Sequence, residues 1–489
     1  MPADPRSVDV LVVGAGVAGV GAGWHLLHER PGTTFAILEA RGAIGGTWDL
    51  FRFPGVRSDS DMETLSYPFR PWRRPERFGS GPAIRDYVEE TAHETGVAER
   101  VRFGTRVESA SWSSDDARWT VEAVAGEERQ TWSCSVLYAC TGYYDYAHAY
   151  TPDFPGLPDF EGTVVHPQFW PPDLDVEGRR VVVIGSGATA ITLVPALAHA
   201  GAHVTMLQRS PSFVTSVGGP DPVRALVRRL PDRLADPFLR IRNAAVTVGF
   251  YELAQRRPAI ARRFLRRGMA AIVGADAVTA HFTPSYDPWD QRLCVAPDGD
   301  FLHTVADGRA QVVTDHVARF ERAGIRTGSG QLLEADVVVS ATGLSLLALG
   351  GIALAVDGRP VGVGETLAYR GAMLSGVPNL FVCIGYVNAS WTLRAEVTHR
   401  FVCRVLAHLE QHGYASATAE HPPAQATHPL LSLSSGYVTR GADRFPKQGE
   451  RAPWRLPQNW FVDRRAVARA RIDEELTFVP RAGVARRAS

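Results

Sequence analysis

The 489-residue chain predicts an α/β fold with two Rossmann-like dinucleotide-binding domains and a helical insertion. Three observations point there. A β-branched apolar run followed at once by a glycine-rich loop and a helical stretch occurs twice, beginning at Val8 and at Val181. Two more apolar runs, Val136 to Ala139 and Val337 to Ala341, each end close to a Thr-Gly pair. Residues of about 220–280 carry Leu, Val, Phe and Tyr at helical spacing among many arginines. At this length two or three domains are expected.

The first unit runs Val8-Asp9-Val10-Leu11-Val12-Val13, then Gly14-Ala15-Gly16-Val17-Ala18-Gly19, then a helix to about Glu29. Gly14 permits the tight turn, Gly16 lets the backbone approach a pyrophosphate, and Gly19 lets the helix pack on the strand. The helix N-terminus offers free N–H groups and a positive dipole end to phosphate. A second strand, Thr34 to Leu38, ends in Glu39, about 20 residues after Gly19, where an acid accepts bonds from ribose hydroxyls. The second unit has Val181 to Ile184 as strand and Gly185-Ser186-Gly187-Ala188-Thr189-Ala190 as loop. Its next strand, Val204 to Leu207, ends in Gln208-Arg209-Ser210 with no acid. A guanidinium suits a 2′-phosphate, which it binds in bidentate fashion. The first site therefore reads as FAD and the second as NADPH.

The bulk numbers exclude several classes. Lys+Arg and Asp+Glu both total 52, so net charge gives no case for a nucleic-acid partner. No apolar stretch is long enough to span a bilayer, and the first residues lack a signal-peptide pattern. The five cysteines form no CxxC and no metal spacing, which suits a reducing cytoplasm and predicts no metal.

Three stretches carry more specific chemistry. Phe160-Glu161-Gly162-Thr163-Val164-Val165-His166-Pro167-Gln168-Phe169-Trp170-Pro171 is an apolar, aromatic connector with one histidine. Gly45-Gly46-Thr47-Trp48, continuing through Phe53-Pro54-Gly55 and Arg57-Ser58 to Asp59, permits backbone approach to a flat ring beside a large apolar wall. By residue type alone, Asp59 is an Asx-turn or helix-cap carboxylate for Ser60 to Leu65. Arg292 lies in Thr283 to Cys294, a Pro-rich aromatic segment expected outside helix and strand interiors.

Together these stretches resemble the type I Baeyer–Villiger flavin monooxygenases. The first matches F-x-G-x-x-x-H-x-x-x-W-P at every fixed position, and the second matches [AG]-G-x-W-x(4)-[FY]-P-[GM]-x(3)-D. The resemblance implies use of NADPH and O2 to convert ketones to esters or lactones through a C4a-peroxyflavin, with oxidation of sulfides or thioamides alongside. It implies Arg292 and Asp59 as the catalytic pair and His166 as a conformational connector. Gly46, Thr47, Trp48, Arg57, Ser58 and Val107 join the two glycine loops, Glu39, Arg209 and Ser210 as cofactor-binding residues. Many members carry Lys before the arginine. This chain has Gln291, so Arg209 and Ser210 carry more of the NADPH selectivity.

The likeness is nearest to the actinobacterial branch that includes the mycobacterial ethionamide-activating monooxygenase. Shared phrases include residues 45–52, 57–62, 185–190, 207–211, 388–393 and 446–456. The strands ending in Thr141-Gly142 and Thr342-Gly343 resemble the domain crossings of two-dinucleotide flavoproteins. On that resemblance FAD binds 1–150 and 336–489, a discontinuous domain, and NADPH binds 151–335, inserted between. Gly385 to Leu393 is expected to form a mobile loop over NADP+. The arginine-rich insertion is expected to close over the substrate pocket. Its basic amphipathic character suits either a solvated helix face or weak contact with anionic lipid. The rival readings are an N- or S-oxygenating flavin monooxygenase without ketone activity, a dithiol-disulfide reductase, and a non-catalytic flavin-holding sensor.

Overall fold

The computed structural model describes residues 6–219 and 221–481. Two sheets organise them. In the larger one, Ser7–Val13 lies parallel between Phe35–Leu38 and Glu128–Ala139. Glu128–Ala139 then pairs antiparallel with Arg118–Ala125, which pairs with Thr105–Ser113. Late strands complete this sheet: Ala353–Val356 joins Thr105–Ser113, and Leu380–Val382 joins Glu128–Ala139, both in parallel. The smaller sheet has five parallel strands in the order Ala310–Thr314, His203–Gln208, Arg180–Ile184, Val337–Ser340, Thr163–Val165.

The sequence explains this placement. Val10, Leu11 and Val12 are fully buried, as are Val181 and Val183, because both faces of a parallel strand are covered. Helix Val17–Glu29 follows the first strand and Ala188–His199 follows the second sheet's strand Arg180–Ile184. The chain leaves the large sheet after Ala139 and the small sheet after Ser340, so Thr141-Gly142 and Thr342-Gly343 sit at the two crossings. The segment 283–293 holds no helix or strand, as its prolines predict.

The insertion is helical, with Pro222–Val227, Asp232–Arg256, Pro258–Val273 and Ala275–His281. It does not close over the main cavity, and no residue of 213–290 lines that space. It grips the segment after Asp59 instead. Arg240 is 7% exposed and one guanidinium nitrogen donates to the main-chain oxygens of Glu63, Thr64 and Ser66 at 3.1, 3.1 and 2.7 Å. These carbonyls end the short helix Met62–Leu65 and have no intrahelical partner of their own. Arg224 pairs with Glu63 at 2.6 Å, and Asn243 donates to Asp61 at 2.9 Å.

Two further expectations are corrected. Asp59 does not cap the helix; Asp61 does, accepting from the Thr64 amide at 3.0 Å. Nor is Gly385 to Leu393 all loop. Trp391 opens the helix Trp391–His412, and the Thr392 hydroxyl is tied to the carbonyls of Thr64 and Leu65 at 2.9 and 2.8 Å. Among the described residues no helix is long and apolar enough to cross a membrane.

Removing the Arg240 guanidinium strands the carbonyls of Glu63 and Ser66, while Thr64 keeps the Thr392 hydroxyl and Glu396 keeps Arg400. Arg240→Ala is therefore expected to destabilise the protein by about 2–4 kcal/mol. Hydrogen exchange should show the loss first at the amides of 60–66.

A candidate dinucleotide and catalytic cleft

One cavity of about 1570 Å³ lies where the two sheets' loops meet, larger than the range of about 300–1,000 Å³ usual for a single small-ligand pocket. Both glycine loops open into it. Gly14 has φ +101°, and a Cβ there would come within 2.7 Å of the Cys140 carbonyl oxygen. Neither Gly16 nor Gly187 caps its helix with a side chain, so the first-turn N–H groups of both helices remain available at the cavity. This is the geometry that pyrophosphates require.

The loops differ at the strand that follows. Glu39 is buried, and its two oxygens accept from the amides of Ala15 and Arg41 at 2.7 and 2.8 Å. Burial raises its pKa, and these N–H donors oppose the rise. A carboxylate has about four acceptor positions, so capacity remains for ribose hydroxyls. Arg209, in the equivalent place on the second unit, lines the cavity and has no ion pair or side-chain hydrogen bond among the described residues. Ser186 donates to the Ser210 carbonyl at 2.8 Å and so fastens the second loop to that strand end.

Most of the expected cofactor residues face this space: Gly14, Gly16, Ala18, Glu39, Gly46, Thr47, Trp48 and Val107 on one side, with Arg57, Ser58 and Asp59 beside them. Gly185, Ser186, Gly187, Ala188, Thr189, Arg209 and Ser210 line the other side. Gly19 and Ala190 do not. A Cβ on Gly19 would lie 1.8 Å from the Gly14 carbonyl oxygen, so its smallness serves helix-on-strand packing. Ala190 is fully buried behind its loop. Arg57, expected among the cofactor-binding residues, is also held by an acid. Its guanidinium forms a two-point pair with Asp300, from the other sheet's side of the cleft. The Ser58 hydroxyl is used within its own turn, bonding Ser60.

The structure brings Asp59 and Arg292 together across 233 positions of sequence. Arg292 donates from Nε to Oδ2 at 2.8 Å and from Nη2 to Oδ1 at 2.9 Å, a bidentate fork. The side chains are 30% and 26% exposed and open into the cavity. Asp59, then the neighbouring phenols, raise the pKa of Arg292 against the cost of burial, so it stays charged. Those phenols are Tyr143, Tyr144 and Tyr437. The Tyr143 and Tyr144 hydroxyls are 3.2 Å apart, and Trp391 tilts against Tyr143 with ring centroids 5.1 Å apart. Burial pushes Tyr144 and Tyr437 well above the ordinary phenol range, so both stay protonated. Sequence reasoning missed Tyr143, Tyr144 and Tyr437. The first two follow directly after Thr141-Gly142 and were open to notice; nothing local marks Tyr437.

The aromatic connector lies at the crossings. His166 accepts from the Gln168 amide at Nδ1 (3.1 Å), and its Nε2 faces the Gly343 carbonyl at 3.4 Å. Burial lowers the His166 pKa, which favours the neutral ring. The Gln168 side chain donates to the carbonyls of Asp145 and Tyr146 at 2.9 and 3.1 Å. The segment thus clips both crossings to each other.

The family description "Flavin-binding monooxygenase-like" matches residues 8–221. Over 474 residues the chain is 44% identical to the probable FAD-binding monooxygenase AlmA of Acinetobacter baylyi, covering 96% of this chain and 95% of that one. It is 45% identical over 479 residues to the FAD-containing monooxygenase EthA of Mycobacterium tuberculosis, covering 97% and 98%. The chain belongs to the flavin-binding monooxygenase-like family. Its fold is that of an oxidised steroid monooxygenase bound to NADP (TM-score 0.74, 24% identity, 97% and 100% covered). An open cyclohexanone monooxygenase shares it too (TM-score 0.75, 19% identity, 97% and 99% covered). The residues present fit a flavin dinucleotide in this family member, because the uncapped helix ends, Gly14 and the buried Glu39 leave the space and donors it needs.

Gly19→Ala forces the Gly14 carbonyl to move. It is expected to lower flavin retained per polypeptide by about tenfold or more, since close approach of this loop holds the pyrophosphate. The ratio of flavin to protein absorbance in the purified variant measures this.

Proposed function

We propose that this chain is an FAD- and NADPH-dependent monooxygenase of Baeyer–Villiger type. It inserts one oxygen atom beside a ketone carbonyl to give an ester or lactone, and it oxidises sulfides or thioamides in the same cleft. The observation that carries the reading is the Arg292–Asp59 fork inside a cavity lined by both nucleotide loops. In the balanced reaction a ketone, O2, NADPH and a proton yield ester, NADP+ and water. FAD, which the first glycine loop and Glu39 would hold, would supply the hydride-accepting and oxygen-activating chemistry.

The chain's own residues do the rest. On this reading the FAD unit comprises 1–150 and 336–489 and the NADPH unit 151–335, although the strand Val337–Ser340 still pairs within the smaller, five-stranded sheet. Glu39 orients one ribose, and unpaired Arg209 takes a 2′-phosphate. Arg292 places a fixed positive charge where negative charge builds on the carbonyl oxygen, which stabilises the transition state selectively. Asp59 acts as a positioning residue, holding the guanidinium plane by two hydrogen bonds. Tyr144, Phe51 and Trp391 line the same space and exclude water from it. The dithiol rival needs a reactive thiolate. Here all five cysteines are buried and unpaired, and burial pushes Cys294 up to about 12 and Cys140 well above the thiol range. Five unpaired cysteines also support a reducing, cytoplasmic setting.

Two outcomes test this. Arg292→Ala should reduce ester formation from a simple cyclic ketone by about 10²-fold or more while leaving bound flavin in place. Ester yield by gas chromatography and the flavin spectrum separate the two effects. An active wild-type protein that oxidises a sulfide and never a ketone would favour the N- or S-oxygenating rival. Arg209→Ala should raise KM for NADPH by about tenfold to 100-fold and leave KM for NADH nearly unchanged.

A further inference from the structure

The helical insertion carries a surface that the oxygenation reaction does not use. Residues 221–274 contain twelve arginines and four carboxylates, a net charge of plus eight in a chain whose total is zero. All four carboxylates are engaged: Asp221 with Arg242, Asp232 with Arg73, Asp236 with Arg73 and Arg228, and Glu252 with Arg256. Arg229, Arg233, Arg257, Arg263, Arg266 and Arg267 have no acidic partner among the described residues. The helix Pro258–Val273 holds four arginines and no acid. A groove of about 640 Å³ beside it is lined by Arg262, Arg263, Arg266 and Arg267.

The same surface is apolar where water would favour polar groups. Asp232–Arg256 buries Ala235, Leu239, Ala244 and Val248. It also exposes Leu234 (55%), Phe238 (49%) and Ile241 (46%), which share a face at spacings of four and three. Ile260 (55%) and Phe264 (62%) are exposed on the next helix. Phe264 lies against Phe250 of the long helix, ring centroids 6.0 Å apart, so the two helices meet there. Five large apolar side chains left in water on one insertion mark an interaction site.

We propose that the helical insertion docks on an anionic phospholipid surface. Leu234, Phe238, Ile241, Ile260 and Phe264 enter the headgroup–acyl boundary, and the unpaired arginines engage lipid phosphates. The charge selects this occupant. A symmetric contact with a second copy would set like-charged arginines against one another, whereas guanidinium groups bind phosphate in fixed bidentate geometry. The absence of a crossing helix among the described residues makes this an interfacial contact, not an insertion.

The test is co-sedimentation of the flavin-loaded full chain with phosphatidylcholine vesicles, with and without roughly one-third phosphatidylglycerol. Binding to the anionic vesicles at about 50 mM salt is expected, with about tenfold loss at about 500 mM salt and on pure phosphatidylcholine. The triple variant Arg263→Gln, Arg266→Gln, Arg267→Gln and the double variant Phe238→Ser, Ile241→Ser should each lose about tenfold. Their flavin spectrum and NADPH consumption should match wild type, which shows that they fold. Absence of binding to anionic vesicles overturns the proposal, as does binding that neither variant weakens. Self-association seen by velocity sedimentation, abolished by the variants without any vesicle binding, assigns the face to a second copy and overturns it equally.

Discussion

The cleft depends on one charge pair whose members belong to different parts of the chain. Asp59 sits in a loop beyond the first glycine unit, and Arg292 follows the helical insertion. A bidentate guanidinium–carboxylate fork tolerates little displacement, so it is sensitive to the relative placement of both loops. Breaking one partner leaves the other charged in a partly buried site, which is far costlier than losing an exposed pair. On the proposed function, placement of the loops is thus a condition for the chemistry as well as for stability.

Two other contacts provide that placement. The insertion's Arg240 holds the chain just after Asp59 by three carbonyls, while Asp61 and Glu63 are tied to Asn243 and Arg224. Behind the cavity, His166 and Gln168 fasten the crossing strands through Gly343, Asp145 and Tyr146. A motif histidine close to a catalytic cleft invites a role in proton transfer. Its lowered pKa, its main-chain partners and its place outside the cavity lining account for it as a structural clip.

The insertion serves both ends of this arrangement. Its inner face supplies buried polar contacts that order the Asp59 segment, and its outer face carries unpaired arginines amid exposed apolar side chains. A helix that is apolar on two faces cannot satisfy both within one compact chain, since only one face reaches the core. That asymmetry, together with a local charge of plus eight that the rest of the chain cancels, distinguishes the segment.

The sequence by itself determined the two strand–loop–helix units, the acid after one and the arginine after the other. A phosphate cradle is local chemistry, written in about ten consecutive residues whose glycines and uncapped N–H groups need no distant partner. The same locality made the Trp48 loop and the aromatic connector recognisable, and made Tyr143 and Tyr144 available for notice. Only the tertiary structure decided that Asp61 and not Asp59 caps the short helix, that Arg57 is taken by Asp300, and that the insertion grips the Asp59 segment without covering the cavity. Each of those is a choice among 52 carboxylates and 52 cationic side chains scattered over the chain. Partner selection among distant charges follows from how the sheets and helices pack, and no spacing rule encodes it.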